Sequence, residues 1–205
     1  MSGSIPINLV FEDDLSKAVL EQLLLKSSHS YEVGNCFHGR GYGYIKKNIS
    51  GFNNASKGMP FLVLIDLDAE VCAPTKIRNW LSVPKHPNLL FRIAVREVES
   101  WLLADRVGFA KFLGIRKDLI PDNIEEIKDP KKFLIELAKR SRKRALREDL
   151  VPSPGSTAKQ GPVYNDRLIS FVTDSWDHSA ATINSPSLER TIRTLESFTP
   201  IWDQR

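Results

Sequence analysis

The sequence has only two cysteines, Cys36 and Cys72, among its 205 residues. Small secreted domains that depend on disulfides carry more cysteines than this, so we expect two reduced thiols in an intracellular protein. No apolar run approaches the roughly 18 residues that a membrane span needs. The stretch MSGSIPINLVFEDD also lacks the basic-then-apolar pattern of a signal peptide. These absences predict a cytoplasmic protein with no membrane segment.

Several catalytic and binding motifs are missing as well. The chain has neither the G-x-S-x-G of serine hydrolases nor the Walker loop of P-loop ATPases, so we exclude both classes. Its four histidines have no zinc-like spacing with the two cysteines. The histidines and cysteines therefore predict no zinc site.

The composition is that of an ordinary globular protein, with 41% hydrophobic and 26% charged residues. The net charge of +4 is unevenly distributed, because KRSRKRALR at 139–147 is densely cationic. Such a run attracts phosphate groups, although a solvent-exposed helix face explains it equally well. The candidates for nucleic-acid binding in this run are Arg140, Arg142, Lys143 and Arg144.

The alternation of apolar runs with helical patterns predicts the fold class. Four apolar runs have the character of strands: INLVF (7–11), YEVGNCF (31–37), FLVLIDLD (61–68) and LLFRIAV (89–95). A helical pattern follows each run: 15–26 with Asp14 as N-cap, a basic stretch ending near 52, 73–82, and 96–114 with Gly114 as the stop. This order predicts an α/β fold with a mostly parallel four-stranded sheet, flanked by helices on both faces.

The sequence after residue 114 has no strong strand pattern. It predicts helices near 130–147, 163–174 and 186–198, with a Pro/Gly/Ser-rich loop, VPSPGSTAKQGP, at 151–162. We therefore expect an α/β domain over 1–114 and a helical C-terminal extension over 115–205 packed on it.

Two carboxylates end the third predicted strand. Asp66 and Asp68 are separated only by Leu67, and residues two apart on a strand share a face, about 6.6 Å apart at a rise of ~3.3 Å per residue. The carboxyl edge of a parallel sheet is where α/β folds bind ligands. Two unpaired carboxylates 4 Å apart would repel by roughly 4 kcal/mol at an effective dielectric of ~20. The pair therefore predicts a bound divalent cation, Mg²⁺ or Mn²⁺.

Acids also follow the first and fourth strands. Glu12 ends the first strand, and Glu97 and Glu99 follow the fourth. If the first and third strands are neighbours, Glu12 converges with Asp66 and Asp68 on one crevice. The alternative is that these acids cap the following helices, which suits Asp14 and Glu97 but not Asp66, because Asp66 lies inside an apolar run.

The order of these acids resembles a known family. A glutamate after the first strand, D-x-D after the third and a further acid after the fourth are similar to the Toprim domain of topoisomerases, primases and overcoming-lysogenization-defect nucleases, over about residues 5–110. More closely, FEDDLSKAVLEQLL, LIDLDAE and RIAVREVESWLLAD resemble a family of small bacterial Toprim-like proteins often encoded beside an ATPase. That closer resemblance spans nearly the whole chain, including GSTAKQGPVYNDRL, and it implies a Toprim/Rossmann-like fold.

The resemblance implies a role for each matching acid. Glu12 matches the Toprim glutamate, which acts as general acid/base or helps to hold a metal. Asp66 and Asp68 match the metal-binding D-x-D, and Glu99, or alternatively Glu97, matches the later acid.

The resemblance also implies helpers and contains one departure. A downstream serine and lysine often assist in the nuclease branch, and the candidates here are Ser156 and Lys159, the latter as a second catalytic residue. Many nuclease members carry a second acid four residues after the first, where this chain has Ser16. That departure argues against a full two-metal site.

A glycine-rich loop follows the second predicted strand. Its spacing is G-x-G-x-G rather than the G-x-G-x-x-G of dinucleotide-binding proteins, which favours a flexible loop near the sheet edge. Arg40, Lys46 and Lys47 in and after this loop are candidates for contacts with a nucleic-acid backbone.

Two functions follow as expectations. The first is a Mg²⁺- or Mn²⁺-dependent nuclease acting on DNA or RNA, as the effector of an antiviral bacterial defence pair with an AAA- or ABC-type ATPase. The second is a Toprim scaffold without catalysis, serving as a binding or regulatory subunit of an ATPase complex. The sequence leaves homo-oligomerisation open.

Overall fold

The computed structural model of the protein describes residues 3–39, 42–70 and 72–202. One predicted functional residue, Arg40, lies outside this described part of the chain. None of the described helices is both long and apolar enough to cross a membrane.

The strands form one parallel sheet. They are β1 (Ile5–Phe11), β2 (Tyr31–His38), β3 (Phe61–Asp66) and β4 (Leu89–Ala94). The four strands lie in the order β2-β1-β3-β4, and every neighbouring pair is parallel. The predicted α/β fold with a mostly parallel four-stranded sheet, flanked by helices and followed by C-terminal helices, is confirmed.

Helices connect the strands and make up most of the remaining chain. They are α1 (Asp14–Leu25), α2 (Tyr42–Ala55), α3 (Ala73–Trp80), α4 (Val98–Ala104), α5 (Arg106–Leu113), α6 (Pro130–Lys139), α7 (Arg144–Leu150), α8 (Tyr164–Asp174), α9 (His178–Ala181) and α10 (Pro186–Glu196). Short 3-10 turns lie at Lys117–Leu119, Ile124–Glu126 and Thr182–Asn184.

The chain forms two compact units. The sheet unit comprises residues 1–95 and 190–205, and the helical unit comprises residues 96–189. These units differ from the predicted division at 114/115, because α4 and α5 group with the later helices and the last part of α10 groups with the sheet. The sheet unit is therefore discontinuous in sequence.

The central strands of the sheet unit are buried on both faces. Val63 and Ile65 of β3 pack in one apolar cluster with Phe52 of α2. The alternate residues Leu62 and Leu64 point to the opposite face and are also fully buried. Burial on both faces explains why these strands appear in the sequence as continuous apolar runs.

The edge strand β2 is mostly exposed and carries an irregularity in its pairing with β1. The register shifts between Ile7 and Leu9 of β1. Asn8, which is buried, fixes this bulge, because its Oδ1 accepts a hydrogen bond from Asn35 N at 2.8 Å. A Cβ at Gly34 would lie 2.7 Å from the same oxygen, so the bulge requires glycine at this position.

The predicted single helix over 96–114 is wrong, because the chain breaks at Asp105. Asp105 is buried and has φ −76° and ψ 70°. Its Oδ1 accepts a hydrogen bond from Gly108 N at 2.9 Å, and its Oδ2 accepts one from Asp177 N at 3.0 Å. These bonds end α4 and begin α5. The predicted stop at Gly114 is confirmed, with Gly114 in the left-handed region at φ 67°.

The predicted helix near 130–147 is also divided. It becomes α6 and α7, with Ser141 in the gap between them. Ser141 is buried, and its hydroxyl donates to Leu113 O at 2.5 Å. This bond fixes the turn to the end of α5 and interrupts the helix.

The last described segment of the chain returns to the sheet unit. Asn88, which is fully buried just before β4, accepts a hydrogen bond from Ile201 N at 2.8 Å and donates one to Ile201 O at 2.7 Å. The same amide donates to Ser56 O at 3.1 Å. One buried side chain thus joins three separate segments of the sheet unit.

Candidate active site

The structure brings Glu12 and Asp66 together at the carboxyl edge of the sheet. Glu12 directly follows β1, Asp66 ends β3, and these two strands are parallel neighbours. Asp66 N donates a hydrogen bond to Glu12 Oε1 at 3.2 Å. The convergence therefore follows from the strand order.

Asp68 is placed differently from the prediction. The predicted strand over 61–68 ends at Asp66. Leu67 N still donates to Ala94 O of β4, and a turn follows in which Glu70 N donates to Leu67 O. Asp68 lies in the left-handed region at φ 56°, as a non-glycine residue. The simple two-residue alternation of a strand therefore does not relate the two aspartates, and such conformations concentrate at functional sites.

Lys76 is the residue of this site that sequence reasoning missed. Its side chain comes from α3, and its ammonium donates to Asp66 O at 2.7 Å and Leu67 O at 3.2 Å. Lys76 Nζ also lies 3.5 Å from Asp68 Oδ2, in an ion pair in which the lysine side chain is 3% exposed and the aspartate side chain 52%. The repulsion expected between the two aspartates was a signal that a cation should be sought nearby.

The environment of Glu12 favours the protonated carboxyl. Burial raises its pKa from 4.5 to about 7, and the charges of Asp68 and Asp13 act in the same direction. The hydrogen bond from Asp66 N and the charge of Lys76 act against this rise. Near neutral pH the Glu12 carboxyl can therefore both give and accept a proton.

The neighbouring acid Asp13 has a structural task. Its Oδ1 accepts a hydrogen bond from Ser16 N at 2.8 Å, so Asp13 is the N-cap of α1. The prediction of Asp14 as N-cap was wrong by one residue, because Asp14 already lies inside the helix. Asp13 thus holds the turn that carries Glu12.

Glu12, Asp66 and Asp68 have the chemistry that a divalent cation requires, but they are not arranged as a complete set of ligands. Carboxylate oxygens are the ligands that Mg²⁺ and Mn²⁺ prefer. Over the described ranges, no group of three or more His, Cys, Asp or Glu residues is arranged to hold a metal ion. The arrangement that the structure shows around Glu12, Asp66 and Asp68 includes the ammonium of Lys76.

The later acids, Glu97 and Glu99, belong to the helical unit and have partners there. Glu99 is 3% exposed; its Oε1 lies 3.3 Å from Lys131 Nζ and accepts a hydrogen bond from Tyr164 OH at 3.2 Å. Glu97 Oε2 accepts a hydrogen bond from Lys131 N at 2.9 Å. The metal-binding role of Glu99 stays a prediction.

Ser156 and Lys159 also belong to the helical unit. Both are exposed in the loop between α7 and α8, and Ser156 Oγ accepts a hydrogen bond from Ala158 N at 3.0 Å. Lys159 borders a cavity of about 420 Å³ that Lys131, Lys132 and Lys139 also line. Their catalytic assistance stays a prediction.

The predicted nucleic-acid contacts have mixed environments. Lys143 Nζ donates to Lys111 O at 3.0 Å and Phe112 O at 2.9 Å, so it caps the end of α5. Arg144 forms an ion pair with Glu148 at 2.8 Å. The remaining described candidates are exposed, and Lys46 also lies 6.0 Å from the ring centre of Trp80; these candidates are Arg140, Arg142, Lys46 and Lys47.

Comparison of the chain with protein-family models, with curated proteins and with solved structures gives no match. The fold and the geometry around Glu12 are therefore the observations on which function is argued. The Toprim-like resemblance stays a prediction of the sequence.

Proposed function

We propose that the protein is a divalent-cation-dependent nuclease that cleaves phosphodiester bonds in DNA or RNA at the Glu12 site. The observation that carries the proposal is the half-buried Glu12 side chain, whose carboxyl has a pKa of about 7, accepts a hydrogen bond from Asp66 N and lies close to the charges of Asp68 and Lys76. This arrangement lies at the carboxyl edge of a parallel sheet, where α/β enzymes bind their substrates.

Each residue would have a distinct task. Glu12 would take a proton from the attacking water or return one to the leaving oxygen, because its carboxyl titrates near neutral pH. Lys76 holds the Asp66–Asp68 turn through three contacts, which orients the carboxylate of Asp68. Asp66 and Asp68 would hold the cation, which when bound would supply Lewis-acid stabilisation of the phosphate charge.

The substrate contacts and the biological setting are part of the same proposal. Exposed cations such as Arg140, Arg142 and Lys47 would contact the phosphate backbone. Lys159 would assist in neutralising charge, and the chain would act beside an AAA- or ABC-type ATPase in antiviral defence. The contacts of the exposed cations rest on the distribution of charge, whereas the roles of Lys159 and of the ATPase rest on the sequence resemblance.

The test is cleavage of plasmid, single-stranded DNA and RNA with Mg²⁺ or Mn²⁺, with and without any ATPase found to be encoded beside the gene. We expect Asp66→Asn to lower the rate by at least about 100-fold, the usual loss when an electrostatic contact in an active site is removed. Asp14→Asn, which changes an exposed aspartate of α1 in the same way, is the matched control. Intact substrates under every condition would contradict the proposal.

A second candidate function is a binding or regulatory subunit of an ATPase complex, without catalysis. The observation that favours it is Lys76, because a buried ammonium from the chain itself already offsets the charge beside Asp66 and Asp68. Calorimetry with Mn²⁺ separates the two functions. Uptake of Mn²⁺ that Asp68→Asn removes supports the nuclease, whereas binding of the ATPase with no Mn²⁺ uptake supports the subunit.

A further inference from the structure

Four cationic side chains gather at one edge of the sheet unit. Arg92 lies half-buried on the edge strand β4, and its Nε donates to Thr191 Oγ1 of α10 at 3.3 Å. Arg190 and Arg193 are exposed on either side of Thr191. Lys85 lies close to the start of β4. We call Arg92, Arg190, Arg193 and Lys85 the arginine cluster.

The charges of the cluster affect one another. Burial lowers the pKa of Arg92, and the charges of Arg190 and Arg193 lower it further. Burial also lowers the pKa of Lys85, with a further contribution from Arg92. Like charges this close destabilise the protein unless an anion lies among them.

The described part of the chain does not supply that anion to Arg92, Arg190 or Lys85. Within the described residues, none of these three side chains forms an ion pair with an acidic side chain. The single hydrogen bond of Arg92 uses Nε, so the terminal nitrogens of its guanidinium make none within the described residues. These nitrogens are not among the buried atoms without a partner, so they reach the surface and an incoming anion can accept hydrogen bonds from them.

We propose that the arginine cluster is a binding site for a phosphate group, carried by free phosphate, by a nucleotide or by a nucleic-acid strand. A guanidinium donates two parallel hydrogen bonds to phosphate oxygens, and phosphate has enough oxygens and charge for several guanidinium groups at once. A carboxylate, with two oxygens and a single charge, would leave part of the cluster uncompensated. The site does not depend on catalysis at Glu12.

The test measures binding to the full-length protein in EDTA, so that cleavage plays no part. Three probes are titrated by calorimetry and thermal shift: inorganic phosphate, a 5′-mononucleotide and a 12-nucleotide single-stranded DNA. We expect binding of phosphate to raise Tm, and Arg190→Ala/Arg193→Ala to weaken binding at least about tenfold, since each contact is a hydrogen bond to a charged group. Binding of the 12-mer more tightly than phosphate identifies the strand backbone as the source, and equal affinities identify free phosphate.

Salt dependence sharpens the result for the DNA probe. If Arg190 and Arg193 both contact phosphates, the slope of log affinity against log salt should be shallower in Arg190→Ala/Arg193→Ala than in the wild type. The expected difference is about 1.4, at ~0.7 per phosphate contact on a single strand. The matched control is Lys26→Ala/Lys57→Ala, which removes the same charge from exposed positions of the sheet unit. Binding of none of the probes, or an equal loss in this control, overturns the proposal.

A second variant probes the centre of the cluster. Arg92→Met should abolish phosphate binding and, without phosphate, raise Tm, because it removes the like-charge repulsion. Phosphate binding retained in Arg92→Met overturns the proposal. If Arg92→Met is less stable than the wild type, phosphate binding by Arg190→Ala/Arg193→Ala decides whether the proposal holds.

Discussion

The sheet unit has a half-buried glutamate, Glu12, and the helical unit a buried one, Glu99, and the two carboxyl groups are held in opposite ways. Glu99 in the helical unit lies 3.3 Å from an ammonium and accepts a hydrogen bond from a tyrosine. Glu12 in the sheet unit accepts one hydrogen bond from a backbone amide and, within the described residues, has no ion-pair partner. Its pKa rises to about 7.

The difference teaches that burial of a carboxyl does not by itself mark a functional site. Lys131 of α6 provides Glu99 of α4 with a direct counter-charge, and Tyr164 of α8 donates a hydrogen bond to the same carboxyl. Lys76 lies near Glu12, but its ammonium donates hydrogen bonds to Asp66 O, Leu67 O and Asp68 Oδ2 instead. Glu12 is thus left close to its titration point, which is the property of a general acid or base.

The largest expected effect is on the proposed cleavage reaction at Glu12. Glu12→Gln should lower the cleavage rate by about 10²- to 10⁴-fold, because the amide cannot exchange a proton. If Glu12 is the general base, the wild-type rate should rise with pH and level off above about 7. Initial rates between pH 5 and 9 measure this, with Glu32→Gln on the exposed strand β2 as control. A wild-type profile without an inflection near pH 7 would remove Glu12 from the reaction.

The next effect is on stability, and its sign follows from the pKa. The folded protein raises the pKa of Glu12 from 4.5 to about 7, so the folded state binds the proton more tightly and the wild type loses stability as pH rises through this range. Glu12→Gln avoids this loss and should be more stable at pH 8 by up to about 3 kcal/mol, at ~1.4 kcal/mol per unit.

Urea denaturation at pH 4 and pH 8 measures the free energy of unfolding of both proteins. The advantage of Glu12→Gln should vanish near pH 4, where the wild-type carboxyl is protonated in both states. Glu32→Gln should show no such pH dependence. An equal advantage at both pH values would show that the buried charge is not its cause.

Removal of the counter-charge of Glu99 should lower the stability of the protein, whereas Glu12→Gln raises it at pH 8. The change should also be smaller. Lys131→Met leaves Glu99 buried without its ammonium and should destabilise the protein by about 2 kcal/mol. This value is below the usual cost of breaking a buried pair, because the Lys131 side chain is 35% exposed and water can replace part of the interaction.

The control for this change is Lys132→Met, at the exposed neighbouring position, with an expected effect within about 0.5 kcal/mol. The double variant Glu99→Gln/Lys131→Met should recover part of the lost stability, because the buried carboxylate of Glu99 is also removed. Equal stability of Lys131→Met and wild type would show that Glu99 does not depend on this lysine.

The smallest effect concerns the turn that carries Glu12. Asp13→Ala removes the N-cap of α1 and should cost about 1 kcal/mol. Asp14→Ala should cost only a few tenths of a kcal/mol, through the helix dipole, because Asp14 is not the cap. Thermal or urea unfolding of the two variants compares them, and the reverse order would reinstate Asp14 as the cap.

The sheet was predictable from the sequence because its signals are local. FLVLID is buried along its length, and a run of this kind between helical patterns predicts a central parallel strand. The proximity of Glu12 to Asp66 then depended only on the two strands being neighbours.

The missed features depend on contacts between distant residues. At the break at Asp105, one of the two hydrogen bonds to its carboxylate comes from Asp177, 72 residues away along the chain. The position of Lys76 depends on the left-handed turn at Asp68, and nothing in the alternation of apolar residues indicates that turn. Periodicity reports which face of an element is buried, but it does not report which polar groups meet there.

The buried amide of Asn88 has a consequence for synthesis of the protein on the ribosome. Its partner Ile201 emerges 113 residues later, after the whole helical unit. A nascent chain that ends before residue 190 therefore has all four strands but cannot complete the sheet unit, although domains usually fold in order as they are made. Completion of the sheet unit must therefore await synthesis of residues 190–201.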